Sequence, residues 1–325
     1  MKKLSIALAI LGMLTGTLLV GWFGFDRIVG AVISVGWNGF GLLMACQLGL
    51  FVVLGLAWDK IATKHGGVLT WVFVWGRMVR DAATNCLPFS SFGGFVLGAR
   101  AVTLHGVPWP LATASVVVDA TAEVLAQMVF AFVGLLIVIT RDPSSPVAIP
   151  FAVGIGLAVA ATAGLVSVQL GAGTIFASLG RRIAGRWFDD ANERVIVFQD
   201  EVNLIYGRTR RLAIGSTLHF AAWIGTAFGS WIAYRLLGMA LDFEDAVAIE
   251  AMVRVVTAAA FLVPGNAGVQ EAGYAGFGLL YGVPPDISLG VSLLGRGRDF
   301  VLGVPILLIW QLVEVRRLRI APPAE

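Results

Sequence analysis

Two stretches with the same spacing of proline and glycine decide the fold: residues 87–108 read LPFSSFGGFVLGARAVTLHGVP, and residues 263–284 read VPGNAGVQEAGYAGFGLLYGVP. In each, a proline precedes the glycine of a Gly-Val-Pro turn, Gly106 or Gly282, by the same spacing. The shift that superposes the two stretches also carries Glu123 onto Asp299. Three coincidences at one shift predict an internal repeat.

The chain around these stretches has the composition of a membrane protein. Of its 325 residues 58% are hydrophobic and 13% charged, and the mean hydropathy is +0.86. A membrane span needs about 20 apolar residues, and several runs offer them. We predict an all-α, polytopic transmembrane helix bundle, and the apolar runs are 4–25, 43–58, 128–140, 147–170 and 212–237.

Lysine and arginine gather in a few blocks, near residues 2–3, 60–64, 181–211 and 316–319. The positive-inside rule places all four blocks, and with them both termini, on the cytoplasmic side of the membrane. The first unit then crosses an odd number of times, so the second enters from the opposite face as an inverted-topology repeat. We predict a first repeat at 1–170, a cytoplasmic amphipathic connector at 171–211, and the remainder of the second repeat at 212–325, with its first span at about 147–170.

Each proline break lies between two apolar arms, 68–86 with 94–107 and 245–263 with 268–283. Each broken pair forms either a re-entrant hairpin or two full spans. Irregular backbone at membrane depth survives only where protein or a water-filled cavity satisfies it. We therefore expect cavity-lining backbone at Pro88, Pro264, Gly265 and Gly268, and paired broken helices are typical of secondary transporters.

Charged residues collect in these arms, where each costs about 2.5–3.5 kcal/mol at a helix centre. Internal ion pairs explain part of the set, for instance Asp81 with Arg77 and Glu250 with Arg254 at i,i+4 spacing. Glu271 needs either a partner such as Arg296 or Arg298, or a proton on its own carboxyl group. Guanidinium groups also recognise phosphate, so the candidate substrate-binding residues are Arg77, Arg80, Arg100, Arg254, Asn266, Gln270, Glu271, Arg296 and Arg298, and the candidate proton-coupling residues are Glu123, Glu271 and Asp299.

Enzymatic motifs are missing from the sequence. It has three histidines and no HExxH, GxSxG, P-loop or dinucleotide fingerprint. The spacing of Cys46 and Cys86 matches neither a zinc site nor a redox pair. These absences favour transport or binding over catalysis, and we predict no enzymatic activity, no catalytic residue, no metal and no cofactor.

The segment FLVPGNAGVQEAG at 261–273, followed by Gly282-Val-Pro and by RGRD at 296–299, resembles the flippase-like membrane family. That family shares its fold with the membrane-embedded part of lysylphosphatidylglycerol synthases, and the chain is most similar to its hopanoid-associated HpnL branch. The first-repeat counterpart departs from the family pattern, with Phe-Ser-Ser-Phe at 89–92. The resemblance implies a lipid-translocation role, with Pro264, Gly268, Glu271 and Arg296 at the matching positions.

We therefore expect a flippase-like transporter that moves an anionic or hopanoid-related lipid through an arginine-lined cavity. Its expected partners are membrane lipids and their anionic headgroups, with lipid-biosynthesis enzymes as further candidates and no nucleic acid. Two alternatives remain open. One is an intramembrane lipid-modifying enzyme, and the other is a non-catalytic scaffold for lipid-biosynthesis enzymes.

Overall fold

The computed structural model describes residues 25–62, 68–87, 90–183, 191–260, 263, 266 and 268–320. Over these residues the chain forms ten helices and no strands, so the all-α prediction is confirmed. The helices are α1 (Phe25–Ile61), α2 (Trp71–Cys86), α3 (Ser90–Thr103), α4 (Trp109–Arg141), α5 (Ala148–Ile183), α6 (Ala191–Gly207), α7 (Thr209–Leu236), α8 (Phe243–Ala259), α9 (Val269–Leu280) and α10 (Pro285–Ile320).

Four stretches of helix are long and apolar enough to cross a membrane: Val29–Ile61, Trp109–Arg141, Ala148–Leu170 and Thr209–Leu236. They contain, to within one residue, four of the five predicted apolar runs. The predicted run 4–25 lies outside the described residues except at its last position. The chain is therefore a polytopic helical membrane protein.

The two Gly-Val-Pro turns share one backbone conformation. Gly106 and Gly282 have φ angles of 93° and 71°, a region that favours glycine. Val107 N–H donates to the carbonyl of Val102, and Val283 N–H donates to the carbonyl of Gly278 in the same pattern. The long helices α4 and α10 start directly after these turns, so the spacing read from the sequence corresponds to equivalent structural elements.

The helices also pack in equivalent pairs. α2 packs on α10 as α8 packs on α4, and α1 packs on α10 as α7 packs on α4. α1 and α7 contact each other along their length. Exchanging α1–α4 with α7–α10 thus reproduces the same neighbours, while the inverted orientation of the two repeats stays a prediction.

The second arm of each broken pair is short. α3 has 14 residues and α9 has 12, which correspond to about 21 Å and 18 Å of helix. A hydrocarbon core is about 30 Å thick. These lengths favour re-entrant hairpins over full spans. The predicted breaking residues Pro88, Pro264 and Gly265 lie outside the described residues.

The predicted connector begins inside a helix, because α5 continues without a break from Ala148 to Ile183. α6 then packs on the bundle, with Val202 and Ile205 in one buried cluster with residues of α4. Tyr206 donates to the side-chain carbonyl of Gln169 on α5 at 2.6 Å. The three-part division at residues 170 and 211 stays a prediction.

Candidate functional site

A cavity of about 620 Å³ lies between the two sets of equivalent helices, with lining residues from both. It gathers most of the predicted site residues from separate helices. Of the predicted residues that the structure describes, three do not line it, namely Arg100, Gly268 and Glu271. Those that do are Arg77, Arg80, Glu123, Arg254, Asn266, Gln270, Arg296, Arg298 and Asp299.

On the first-repeat side, two arginines of α2 share the carboxylates of α4. Arg77 donates to both oxygens of Glu123, at 2.6 and 2.8 Å, and to Asp81 one turn further along α2. Arg80 donates to Glu123 at 2.8 Å and to Asp119 at 2.7 Å. The side chains of Arg77 and Arg80 are only 4% and 7% exposed. These contacts form one buried ionic network and confirm the predicted Arg77–Asp81 pair.

Two side chains of α7 also contact this ionic network. Nε2 of His219 lies 2.9 Å from Oδ1 of Asp119, and both side chains are fully buried. One turn later, the indole N–H of Trp223 donates to the backbone carbonyl of Glu123 at 3.3 Å. α7 therefore supplies side chains that border the cavity and contact the ionic network.

On the second-repeat side, Arg254 is paired with Glu250, as the i,i+4 spacing predicted. Nε of Arg254 donates to Oε1 of Glu250 at 2.7 Å, and Nη2 donates to the same oxygen. Ser230 and Tyr274 donate to the other oxygen at 2.7 and 2.6 Å. Glu250 is fully buried, whereas the Arg254 side chain is 26% exposed. The carboxylate thus anchors an arginine that extends to the cavity.

A second pair joins α9 to α10. Nε of Arg296 donates to Glu271 at 2.5 Å, so Arg296 rather than Arg298 is the partner of Glu271. Glu271 also accepts the backbone N–H of Gly268 at 2.8 Å and so caps the start of α9. Gly268 has φ of 78°, which favours glycine there. Arg296 donates to the backbone carbonyl of Asn266 at 3.3 Å, so this pair holds the break between α8 and α9.

The side-chain amides of Asn266 and Gln270, near the break between α8 and α9, donate hydrogen bonds to the backbone and to a neighbouring hydroxyl. With its amide nitrogen turned towards α8, Asn266 donates to the carbonyls of Thr257 and Ala260 at 3.1 and 3.2 Å. This contact caps the end of α8. Gln270 donates to the hydroxyl of Ser292 at 3.0 Å.

The last two arginines sit in different surroundings. Nε and Nη2 of Arg298 donate to Oδ1 of Asp299 at 3.1 and 3.0 Å, beside the cavity. Arg100 donates to Glu314 at 2.8 Å, and its side chain is 40% exposed. The structure therefore separates Arg100 from the other predicted substrate-binding arginines.

Each predicted arginine has a carboxylate partner, so the cavity is lined by ion pairs rather than by bare cations. Two pairs differ from the network of Arg77 and Arg80, in which both terminal guanidinium nitrogens of each arginine donate to carboxylates. Nη1 of Arg254 and Nη1 of Arg298 make no hydrogen bond to any described residue. These two nitrogens are donors that remain for a ligand. Within the described residues, no three His, Cys, Asp or Glu side chains are placed to hold a metal.

Sequence reasoning missed His219 and Tyr274 as members of the site. His219 is an ionisable residue within the apolar run 212–237, and an ionisable residue inside a membrane segment is by default a functional candidate. That signal was available. Tyr274 carried none, because its partner Glu250 lies on another helix.

Comparison with known proteins places the chain in a family. The family model for the lysylphosphatidylglycerol synthase TM region matches residues 4–306. None of the curated proteins and none of the solved structures compared is significantly similar to the chain. The match is to the family as a whole, so the hopanoid-associated branch stays a prediction. With a match over nearly the whole chain, this protein belongs to the lysylphosphatidylglycerol synthase TM region family, membrane proteins of lipid biosynthesis or transport.

Proposed function

We propose that this protein is a non-enzymatic lipid transporter that binds an anionic lipid headgroup in the central cavity and carries it across the membrane. The observation behind the proposal is the pair of arginines, Arg254 and Arg298, that border the cavity, each with one nitrogen that donates to no described residue. Phosphate oxygens accept charge-assisted hydrogen bonds from such donors.

The arrangement around Arg254 supports binding rather than simple packing. Its anchor Glu250 accepts hydrogen bonds from three side chains, Arg254, Ser230 and Tyr274. A guanidinium held in this way loses little side-chain freedom when a ligand arrives, and that lowers the cost of binding. Cζ of Arg254 lies 5.8 Å from the centre of the Trp223 ring, and this contact further restricts the guanidinium.

The helix equivalence supports movement of the lipid between leaflets. The cavity lies between two sets of helices with equivalent neighbours, and each set contains one short helix, α3 or α9. Transporters built from such repeats expose a central site to either side by moving one repeat against the other. On this proposal the protein is in a bacterial inner membrane with both termini in the cytoplasm. The lipid is glycerophospholipid-like or hopanoid-related.

The first test identifies the ligand. Lipids that co-purify in mild detergent are compared by mass spectrometry between the wild type, Arg254→Gln/Arg298→Gln and Arg100→Gln. We expect an anionic lipid to be enriched on the wild type and on the Arg100 variant and to be lost from the double variant. Arg100 is the matched control because it is an arginine paired with a carboxylate away from the cavity.

The second test measures transport. Protein in liposomes is assayed for movement of a fluorescent phosphatidylglycerol between leaflets, with dithionite used to quench the outer leaflet. We expect faster movement with the wild type than with the double variant under at least one ion gradient. If the wild type moves no lipid under any gradient, the transport proposal is wrong. Enrichment of a lipid without movement favours a scaffold, and a chemically altered lipid favours an enzyme.

A further inference from the structure

The side chain of His219 borders the cavity and makes a single hydrogen bond to the described residues. Its Nε2 lies 2.9 Å from Oδ1 of Asp119, and both side chains are fully buried. Nδ1 is buried and has no hydrogen-bond partner among the described residues. Buried polar atoms rarely lack a partner, and an exception calls for an explanation. Nδ1 is a position that can accept one proton while Nε2–H continues to donate to Asp119.

The charges next to His219 are unequal. Among the described residues, Asp81, Asp119 and Glu123 form ion pairs with two guanidinium groups, those of Arg77 and Arg80. With a neutral imidazole the network carries a net charge of −1, obtained by setting these three carboxylates against the two arginines. An unbalanced charge away from water is costly. A proton on His219 brings the sum to zero.

The other helices packed on α7 also carry charges, but none of these groups forms an ion pair or hydrogen bond with His219. On α7 itself the nearest charged residues are Arg211 and Arg235. Among the residues whose side chains the structure describes, the charged ones on the other helices that pack on α7 are Asp59 and Lys60 on α1, Asp200 and Glu201 on α6, Glu244, Asp245, Glu250 and Arg254 on α8, and Asp286, Arg296, Arg298, Asp299, Glu314, Arg316 and Arg317 on α10, together with Arg141 at the end of α4 and Arg208 between α6 and α7.

We propose that His219 is a proton-binding site whose occupation is coupled to the binding of the anionic headgroup; this inference rests on the proposed function. Oδ1 of Asp119 faces His219, and Oδ2 accepts Arg80 at 2.7 Å. A charged imidazole competes with Arg80 for this carboxylate and leaves the cavity wall more positive. The headgroup therefore binds better when His219 carries a proton. By thermodynamic reciprocity, the headgroup also favours uptake of the proton.

Glu123, Glu271 and Asp299, the residues that the sequence suggested for proton coupling, are each neutralised by an arginine. His219 has a vacant ring nitrogen instead. A proton-coupled transporter needs a group that is not permanently neutralised by its neighbours. This difference favours the histidine over the three carboxylates.

The binding test uses dihexanoyl phosphatidylglycerol, whose phosphodiester keeps one negative charge at the pH values used, and dihexanoyl phosphatidylcholine as the zwitterionic control. Affinity is measured by calorimetry in detergent from about pH 5 to 8, where an unperturbed histidine changes charge. For the wild type we expect affinity for phosphatidylglycerol to fall as pH rises, by up to about tenfold per pH unit for one coupled proton.

The matched variants are His219→Gln and His105→Gln. His105 lies outside the cavity, with Nδ1 2.9 Å from the carbonyl of Ala101 and its ring against Trp71. We expect a flat pH profile for His219→Gln and the wild-type slope for His105→Gln. If the slope persists in His219→Gln, or if the wild type binds phosphatidylglycerol with no pH dependence, the inference is wrong and the proposed function stands.

A direct measurement keeps the proton site testable if no lipid binds. The chain has three histidines, so His65→Gln/His105→Gln leaves His219 alone. Its ring nitrogens can then be followed by nitrogen-15 NMR without changing the site. Titration of this imidazole over the same range supports the proton site, and a constant spectrum overturns it. Failure of the wild type to bind phosphatidylglycerol at any pH overturns the proposed function and, with it, the coupling.

Discussion

The two sides of the cavity use the same kinds of charged residue in different ways. On the first-repeat side, Arg77 and Arg80 share Asp119 and Glu123 in one continuous network, and both arginines are almost inaccessible. On the second-repeat side the charges form separate pairs, and the side chain of Arg254 is 26% exposed. On the first side the terminal arginine nitrogens are engaged by carboxylates, and the second side leaves donors for a ligand.

This contrast shows that charge at membrane depth does not by itself identify a binding site. Removing one partner of a buried pair is expensive because the other charge remains. A partly exposed pair loses less, since water or a ligand replaces the partner. The exposure of each pair therefore predicts whether a substitution acts on stability or on binding.

The largest effect is expected from Arg77→Met. This change leaves three carboxylates with Arg80 alone, and we expect the free energy of unfolding to fall by about 3–5 kcal/mol. The matched variant Arg298→Met is expected to cost only about 0–1 kcal/mol, because Arg298 and Asp299 are both partly exposed. Chemical unfolding in detergent micelles compares the two. If the two variants lose equal free energy of unfolding, the proposed difference between the two sides of the cavity is wrong.

Helix contacts give the next largest effect and should be similar on both sides. A Cβ on Gly134 of α4 would lie 2.3 Å from Cβ of Ala251 on α8, and a Cβ on Gly303 of α10 would lie 2.5 Å from Sγ of Cys86 on α2. We expect Gly134→Ala and Gly303→Ala each to cost about 1–3 kcal/mol by overpacking. Gly156→Ala, with open space around it, is the control and should leave thermal unfolding unchanged or slightly higher.

A smaller effect is expected on binding from Glu250→Gln. Gln at this position still accepts a hydrogen bond from Arg254, so the guanidinium keeps its place while the neighbouring negative charge is lost. The surroundings of Arg254 become more positive, and affinity for phosphatidylglycerol should rise about fivefold, equivalent to about 1 kcal/mol. Glu123→Gln should produce a smaller rise, because the nitrogens of Arg77 and Arg80 are engaged by other carboxylates too. Calorimetry on both variants checks the order. A larger rise for Glu123→Gln would assign ligand binding to the first-repeat side.

The smallest effect is expected from Arg100→Gln. The pair with Glu314 is partly exposed and lies outside the cavity, and such pairs contribute about 0–1 kcal/mol. We expect near wild-type unfolding and unchanged binding of phosphatidylglycerol. A loss of binding in this variant would show that Arg100 contributes to substrate binding, as the sequence suggested.

Several features of the fold were predictable because they depend on local chemistry. Apolar runs long enough to span a bilayer predict helices, and the Gly-Val-Pro spacing predicted the equivalent turns at Gly106 and Gly282. Ion pairs between residues one helical turn apart, Arg77 with Asp81 and Glu250 with Arg254, also followed from spacing. In each case the interacting groups lie within one helix or one turn.

The sequence by itself determined that the chain is a helical membrane protein with charges concentrated in its two broken helix pairs. Only the tertiary structure decided how those charges combine. Asp119 and His219 are 100 positions apart in the chain, and Arg77 and Glu123 are 46 apart. Helical periodicity gives the face of one helix but does not say which other helix that face meets. The division between a closed ionic network and a pair of free arginine nitrogens therefore depends on packing between helices.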